Sequence, residues 1–213
     1  ARATAMFEEA RSRYGLNEQK SPPTGEGGST TLVLAVGRED VLTAGKGRLT
    51  DLVVAARPTE KSDASLAMTI NAAIFETGRP VLLAPPNAPQ TVAKKIAISW
   101  NGSAEASRAV AAAMPLIVRA QSVVILTAEN DKTSSGVAAE LAGYLAWHGV
   151  SAESRSLPGG SQVGQVLLED CKAVGADLLV MGAYTHSRMR QLILGGVTKH
   201  VLASAELPVL MAH

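Results

Sequence analysis

Glycine residues between positions 182 and 198 are spaced as they would be in a loop that holds an anion. Gly182 and Gly195 lie near the two ends of this segment, and Gly196 follows directly. A glycine lets the backbone leave a strand sharply and lets a ligand approach closely. A glycine pair that opens a helix leaves free amide groups, whose dipole attracts anions. The segment therefore predicts a phosphate-binding loop, with nearby positive charge from Arg188, Arg190, Lys199 and His200.

Groups suited to catalysis or metal binding are not evident elsewhere. We assign no catalytic residue and no metal ligand, because no general base, nucleophile or paired carboxylate stands out in the loops. His186 and His200 could approach each other, but without a third ligand they are better interpreted as surface histidines. Cys171 lies in a helical apolar pattern and is predicted to be a core residue. Gly45–Gly47 lacks the flanking residues of a P-loop and is predicted to be a solvated turn.

The composition indicates an α/β core and excludes several classes of function. Of the 213 residues 46% are hydrophobic but only 3% aromatic, which is typical of a parallel sheet covered by helices. The 20 basic and 19 acidic residues give a net charge of +1, far from the basic surface of a nucleic-acid-binding protein. No apolar run approaches the ~20 residues of a membrane span, and a single cysteine suits a reducing compartment. We expect a cytoplasmic protein that has neither a nucleic-acid nor a membrane partner.

One sequence pattern occurs twice along the chain. Asp-Leu-Val-Val-Ala-Ala at 51–56 is followed by Arg-Pro-Val-Leu-Leu-Ala-Pro at 79–85. Asp-Leu-Leu-Val-Met-Gly at 177–182 is followed, at nearly the same distance, by Leu-Pro-Val-Leu-Met-Ala-His at 207–213. Each pair predicts a strand, a helix and a second strand opened by proline. Two such matches in register predict two homologous units.

The second unit, at 92–213, has a complete series of alternating strands and helices, whereas the first unit, at 1–88, does not. The first unit has a predicted helix at Ala5–Tyr14 and a predicted strand at Thr31–Val36, but no counterpart of the second unit's first two strands. The alternation predicts a parallel sheet with helices on both faces. From the spacing in the second unit, we expect the natural protein to carry roughly 50–60 residues before Ala1.

The glycine loop resembles the nucleotide motif of the universal stress proteins. That motif is a glycine, two residues, a glycine, nine residues, a glycine and then serine or threonine. Gly182, Thr185 and Gly195 occupy its glycine positions here. The strand before the loop, the final strand and the strand end at 99–103 resemble the same family. The resemblance covers all of the second unit and, more weakly, part of the first.

The resemblance implies a fold as well as a ligand. It implies the adenine-nucleotide α-hydrolase-like architecture, an open parallel five-stranded sheet of order 3-2-1-4-5 with helices on both faces, repeated in tandem. The last strands of two such units commonly pair antiparallel. By that resemblance Val81–Ala84 would contact Val209–Ala212, and the formation of a homodimer is left open.

The implied ligand is ATP with magnesium, bound in the second unit. Three positions depart from the family pattern: Thr185 replaces a glycine, Gly196 replaces serine or threonine, and Asn101 replaces an aspartate that contacts the nucleoside. Losing a charge-assisted hydrogen bond costs about 1.5–3 kcal/mol. No nucleotide is expected in the first unit, where Ala56 takes the place of Gly182. The expected binding residues are Asn101, Gly182, Thr185, Gly195, Gly196, Val197 and Thr198.

Three functions follow as alternatives. The first is a non-enzymatic stress-response or regulatory protein whose second unit binds an adenine nucleotide weakly or has lost that binding. The second is a scaffold that acts only through strand pairing and partner proteins. The third, a nucleotide hydrolase, is the least favoured because the loops offer no general base.

Overall fold

A computed structural model describes residues 2–19, 21, 27–59, 64–129, 136–184 and 196–213. The chain divides into two compact units, Ala1–Arg38 and Glu39–His213.

The smaller unit contains helix α1 (Arg2–Arg13) and two short strands, β1 (Asn17–Glu18) and β2 (Ser29–Thr30), which pair in parallel. The strand predicted at Thr31–Val36 is wrong, because this segment has no regular secondary structure. In the part of the chain that the structure describes, this segment pairs with no strand, and Leu34 is 75% exposed, so β-branched composition alone does not produce a strand here.

The larger unit alternates helices and strands along the chain. Its elements are α2 (Glu39–Gly47), β3 (Val53–Ala56), α3 (Ala64–Glu76), β4 (Val81–Ala84), β5 (Lys95–Ser99), α4 (Ala104–Ile117), β6 (Ser122–Ala128), α5 (Val137–Trp147), β7 (Ala152–Leu157), α6 (Val163–Ala173), β8 (Leu178–Gly182), α7 (Gly196–Ser204) and β9 (Val209–Ala212).

These strands form one sheet in the order β3-β4-β9-β8-β5-β6-β7. The strands β5 to β9 have the order 3-2-1-4-5 that the resemblance implied, with β5 in the centre. The sheet nevertheless has seven strands, not five, because β4 pairs with β9 and brings β3 with it.

The predicted contact between the two final strands of the repeated pattern is confirmed. β4 and β9 are antiparallel, and the register pairs Val81 with Met211 and Leu83 with Val209. Every other pair of strands in this sheet is parallel. The four seam side chains are buried, so the pairing contributes apolar packing as well as hydrogen bonds.

Both faces of the sheet are covered, because successive side chains of a strand point to opposite faces. In β8, Leu179 and Met181 pack with residues of α3, α6 and α7, whereas Leu178 and Val180 pack with residues of α4 and α5. This accounts for the uninterrupted apolar run of β8 in the sequence. Within the described ranges, none of the helices is long and apolar enough to cross a membrane.

The solvated turn predicted at Gly45–Gly47 is wrong, since these residues end helix α2. Gly47 is buried, and a Cβ atom there would lie 2.6 Å from Cγ2 of Thr77. The glycine is therefore needed for close packing at the end of α3, a requirement that local turn propensity does not reveal.

Cys171 is a core residue, as predicted. It is fully buried on the inner side of α6. Burial, with a smaller contribution from the nearby Asp170 carboxylate, raises the pKa of the Cys171 thiol to about 12. The side chain is therefore a neutral thiol at neutral pH and lacks the thiolate character that nucleophilic chemistry needs.

Asp177 connects the start of β8 to the segment before β5. Its carboxylate accepts hydrogen bonds from Thr91 Oγ1 at 2.5 Å and from the backbone nitrogens of Lys95 at 2.8 Å and Lys94 at 3.2 Å. Burial alone would raise the pKa of Asp177, but these hydrogen bonds outweigh it, so the pKa lies below its ordinary value. The ionised form is thus the one that the fold stabilises.

We expect stability to depend on the ionisation of Asp177. A depressed pKa contributes stability above the unfolded-state value of about 3.9, and this contribution is lost as the pH falls through the folded-state pKa. Asp177→Asn should lower the free energy of unfolding by about 1 kcal/mol at pH 7, a small effect because the site is partly solvated. Urea titrations between about pH 7 and pH 3 should show a flatter acid dependence for the variant. Asp51→Asn, at the exposed matching position of the repeated pattern, is the control, and an equal effect there would contradict the assignment.

Candidate functional site

A cavity of about 260 Å³ lies at the carboxyl ends of the central strands. The register places Ser99 of β5 beside Leu126 of β6 and Met181 of β8, so these strands end at the same edge. The strand order reverses at β5, which is where open parallel sheets bind ligands. We call this the switch-point cavity. It is lined by Ser99, Trp100, Asn101, Ala128, Glu129, Gly160, Val163, Met181, Gly182, Tyr184, Gly196, Val197 and Thr198.

Gly182, the first glycine of the predicted loop, ends β8 against the first turn of α4. A Cβ atom at this position would lie 2.5 Å from the backbone nitrogen of Ala106 and 2.8 Å from the carbonyl carbon of Glu105. Backbone atoms cannot yield as a flexible side chain can. Gly182 is therefore required by the packing of strand on helix, in addition to lining the cavity.

Asn101 lies at the cavity in a turn that leads into α4. Its Oδ1 atom accepts a hydrogen bond from the backbone nitrogen of Ser103 at 3.1 Å. Gly102 adopts a φ of 71°, and Ser103 caps the helix by accepting from the Ala106 nitrogen at 3.1 Å. Because the carboxamide oxygen is held by this turn, the amide group of Asn101 has a defined orientation at the cavity wall.

The first turn of α7 forms the opposite wall, where Gly196, Val197 and Thr198 line the cavity. Of the residues that the structure describes, none has an atom within 4 Å of a Cβ atom built on Gly196. The first backbone N–H groups of a helix have no partner within the helix and carry its positive dipole end. The Oγ1 atom of Thr198 accepts a hydrogen bond from the Tyr184 nitrogen at 3.3 Å, and its O–H group can still donate.

The structure brings together Asn101, Gly182, Gly196, Val197 and Thr198 of the residues predicted from the sequence. The other two predicted residues lie outside the described residues, as do several of the charged and histidine side chains expected nearby. These are Thr185, Gly195, His186, Arg188 and Arg190.

The remaining two basic residues expected near the loop do not line the cavity. Lys199 is exposed on α7, whereas His200 packs on α6, where a Cβ atom on Gly164 would lie 2.8 Å from His200 Cβ. Within the described ranges, no group of three or more His, Cys, Asp and Glu residues could hold a metal ion.

Eight residues of the cavity wall were not among the predicted binding residues: Ser99, Trp100, Ala128, Glu129, Gly160, Val163, Met181 and Tyr184. Most of them lie at or just after strand ends, where the rule that ligands bind beyond the carboxyl ends of parallel strands places a site. Trp100 is held by a hydrogen bond from its Nε1 to the Val137 carbonyl oxygen at 2.9 Å. Tyr184 has no such signal, since its place at the cavity depends on contacts with α3 that are distant in sequence.

The cavity is suited to binding a phosphate through backbone groups and not through basic side chains. Among its described wall residues the charged side chain is Glu129, which is exposed and would repel an anion. The open amides of the α7 first turn are the groups that would hold a phosphate. Asn101 and the indole of Trp100 offer the hydrogen-bonding and apolar surface that a nucleoside needs. The hydrogen-bonding groups of the cavity therefore fit a nucleotide, but its charged side chains add little attraction for a phosphate.

The corresponding position in the first half of the repeated pattern differs. Ala56 ends β3, and Arg57 beside it turns away to donate hydrogen bonds to the carbonyl oxygens of Pro58 at 3.0 Å, Leu202 at 3.5 Å and Ala203. A guanidinium at the end of α7 complements the negative end of that helix. The arginine is thus used for packing one half of the sheet on the other.

Comparison with known proteins assigns the chain to a family. The family model of the universal stress proteins matches residues 93–213. The chain belongs to the universal stress protein family. No curated protein sequence is significantly similar to this chain.

Solved structures support the same fold for this universal stress protein. A universal stress protein from Archaeoglobus fulgidus DSM 4304 is similar, with a TM-score of 0.71 and 14% identity over 87% of this chain and 70% of that chain. A protein from Pseudomonas aeruginosa UCBPP-PA14, assigned to the same family, has a TM-score of 0.60 and 16% identity over 100% of this chain and 78% of that chain. At such low identity the likeness concerns the fold alone.

Proposed function

We propose that this universal stress protein is a cytoplasmic regulatory protein that binds an adenine nucleotide weakly in the switch-point cavity. Proteins of this family are generally regulatory and not catalytic. The observation that carries the proposal is the meeting of Asn101, Gly182 and the first turn of α7 around one cavity.

The expected affinity is low for two physical reasons. Asn101 supplies a neutral amide, so any hydrogen bond to the ligand lacks the charge assistance that a carboxylate would add. Glu129 places negative charge in the same wall. The main attraction for a phosphate would come from the N–H groups at the start of α7. Magnesium would bind as part of the nucleotide complex, because no protein ligand for the metal is assigned.

Gly196→Asp should strongly weaken nucleotide binding without harming the fold. A carboxylate at the first position of α7 favours the helix by interacting with its dipole, but it repels a phosphate at the same place. A Cβ atom there lies more than 4 Å from the described part of the chain, so no clash with it is introduced. Isothermal titration with ATP and magnesium should give a measurable heat for the wild type at concentrations up to about 1 mM, and at least about tenfold weaker binding for the variant.

The matched control is Gly136→Asp, which makes the same substitution at the start of α5, at a residue that does not line the cavity. Gly136 is the N-cap of α5, and a Cβ atom there likewise lies more than 4 Å from the described part of the chain. This variant should bind ATP as the wild type does. An absence of heat for the wild type at millimolar ATP would overturn the proposal, and an equal loss in both variants would show that the α7 terminus is not the binding site.

A scaffold function is the second candidate, and the antiparallel β4–β9 seam favours it. This pairing joins two halves of the repeated pattern without any ligand. Under this alternative the protein would act through its surface, and an ATP titration would give no heat at any concentration tested. The same titration therefore separates the two candidates.

A further inference from the structure

Tyr184 adopts a backbone conformation that a large side chain rarely takes. Its φ is 60°, in the left-handed region, and the residue is only 3% exposed. A buried non-glycine residue in this region costs of order 1–3 kcal/mol and persists only where the surroundings hold it. Tyr184 lies immediately before segment 185–195 and lines the switch-point cavity.

Contacts from two directions hold Tyr184 in this conformation. Its backbone nitrogen donates to Thr198 Oγ1 in the first turn of α7, so the two ends of the glycine loop are joined. Its phenol donates to Oδ1 of Asn71 on α3 at 3.2 Å. Burial raises the pKa of Tyr184 to about 12, so the phenol stays protonated and able to donate at neutral pH.

Aromatic packing reinforces the connection to α3. The rings of Phe75 and Tyr184 are 4.7 Å apart between centroids, and the Phe75 ring also meets His213 edge to face at 4.7 Å. His213 Nδ1 lies 3.0 Å from the carbonyl oxygen of Ala183. The stretch 183–184 is therefore held by α3 and by the end of β9, where Ala183 N also donates to the Ala212 carbonyl oxygen at 2.8 Å, and it contacts the helix terminus that faces the cavity.

We propose that Tyr184 is a positioning residue that couples occupancy of the switch-point cavity to helix α3, through its hydrogen bonds to Thr198 and Asn71. The inference rests on the proposed nucleotide binding. A ligand held by the first turn of α7 acts on the element that Thr198 belongs to, and Tyr184 connects this element to α3 through two hydrogen bonds and a ring contact. Phe75 and Met68 of α3 are 40% and 52% exposed, so a change in α3 alters the protein surface. Coupling of this kind is reciprocal: a change in α3 alters nucleotide affinity by the same factor.

A double-mutant cycle on ATP affinity tests the coupling. Tyr184→Phe removes the phenol but keeps the ring on Phe75 and the backbone bond to Thr198, while Asn71→Ala removes the acceptor. Each single variant should weaken ATP binding by about three- to tenfold, as expected for the loss of one hydrogen bond. The double variant should be no weaker than either single variant, because both remove the same interaction. Tyr144→Phe, at a half-exposed tyrosine of α5 that does not line the cavity, is the control and should bind as the wild type does.

Hydrogen exchange supplies a readout that a purely structural role would not move. ATP should slow amide exchange in α3 of the wild type by several-fold but leave α3 of Tyr184→Phe unchanged. Normal ATP binding in all single and double variants, with no α3 protection, would overturn the coupling and leave the proposed function intact. Additive losses in the double variant would also overturn it. A wild type that binds no ATP would overturn both.

Discussion

Leu83→Asp is expected to lower the free energy of unfolding by more than about 4 kcal/mol. Leu83 lies in β4, is 1% exposed and pairs with Val209 across the antiparallel seam. The substitution removes a buried leucine side chain, worth about 1.5–3 kcal/mol, and places an unpaired carboxylate in the core. If the seven strands unfold as one cooperative unit, the substitution must also destabilise the strands at the opposite edge of the sheet.

Tryptophan fluorescence during urea unfolding measures the stability of the sheet at a residue that is remote from the substitution. Trp100 follows β5 and is partly buried, whereas Trp147 is 91% exposed, so the unfolding signal comes chiefly from Trp100. The midpoint should fall by roughly 2 M, given an m-value of about 2 kcal/mol per M. A midpoint that stays unchanged at Trp100 would show that β3 and β4 unfold independently of strands β5 to β9.

Val54→Asp is the matched control for the seam variant. Val54 lies on the edge strand β3 and is 62% exposed, whereas the next residue, Ala55, is partly buried against the core. The same charge is introduced there into solvent, so the change in stability should be under about 1 kcal/mol. Similar losses in both variants would mean that added charge, and not seam burial, destabilises the sheet.

Gly182→Ala is expected to lower the free energy of unfolding by about 1–3 kcal/mol. The new methyl group would meet backbone atoms of Ala106 and Glu105 within 3 Å, so α4 must shift away from the end of β8. Because Asn101 and the α4 cap lie on that side of the cavity, the shift should also weaken ATP binding. Urea titration followed by circular dichroism measures the first effect, and calorimetry measures the second.

The control for Gly182 is a glycine whose replacement should have the opposite sign. Gly143 lies inside α5, and nothing is within 4 Å of a Cβ atom placed there. Gly143→Ala should stabilise the protein by about 0.5–1 kcal/mol through helix propensity. Stability that is unchanged in Gly182→Ala would show that β8 can move away from α4 at no cost, and would contradict the packing requirement.

Gly182 and Gly196 illustrate why a nucleotide-binding motif is an incomplete guide to function. Gly182 matches the first glycine of the family motif, and that match alone suggests a ligand contact. The structure gives Gly182 an additional and sufficient reason to be glycine, the close approach of α4. Its presence therefore says little about whether nucleotide binding is retained, and Gly196, where a Cβ atom meets none of the described residues, is the better position at which to test binding.

The architecture of residues 92–213 and much of the cavity can be predicted from the amino-acid sequence. Apolar runs such as that of β8 predict strands buried on both faces, and their alternation with helices leaves few topologies. The glycine loop and the strand end at Asn101 then predict which edge of the sheet carries the binding site. The repeated pattern, with the family resemblance, also predicted the pairing of β4 with β9.

Contacts between residues that are distant in sequence determine which local signals prevail. The segment Thr31–Val36 is rich in β-branched residues but is not a strand, because a strand needs a partner for its hydrogen bonds. Gly47 ends a helix because Thr77 lies against it. The place of Tyr184 depends on Asn71 and Phe75, which are far away in sequence. Such contacts are set by the packing of one half of the sheet on the other, and no local pattern of residue types encodes them.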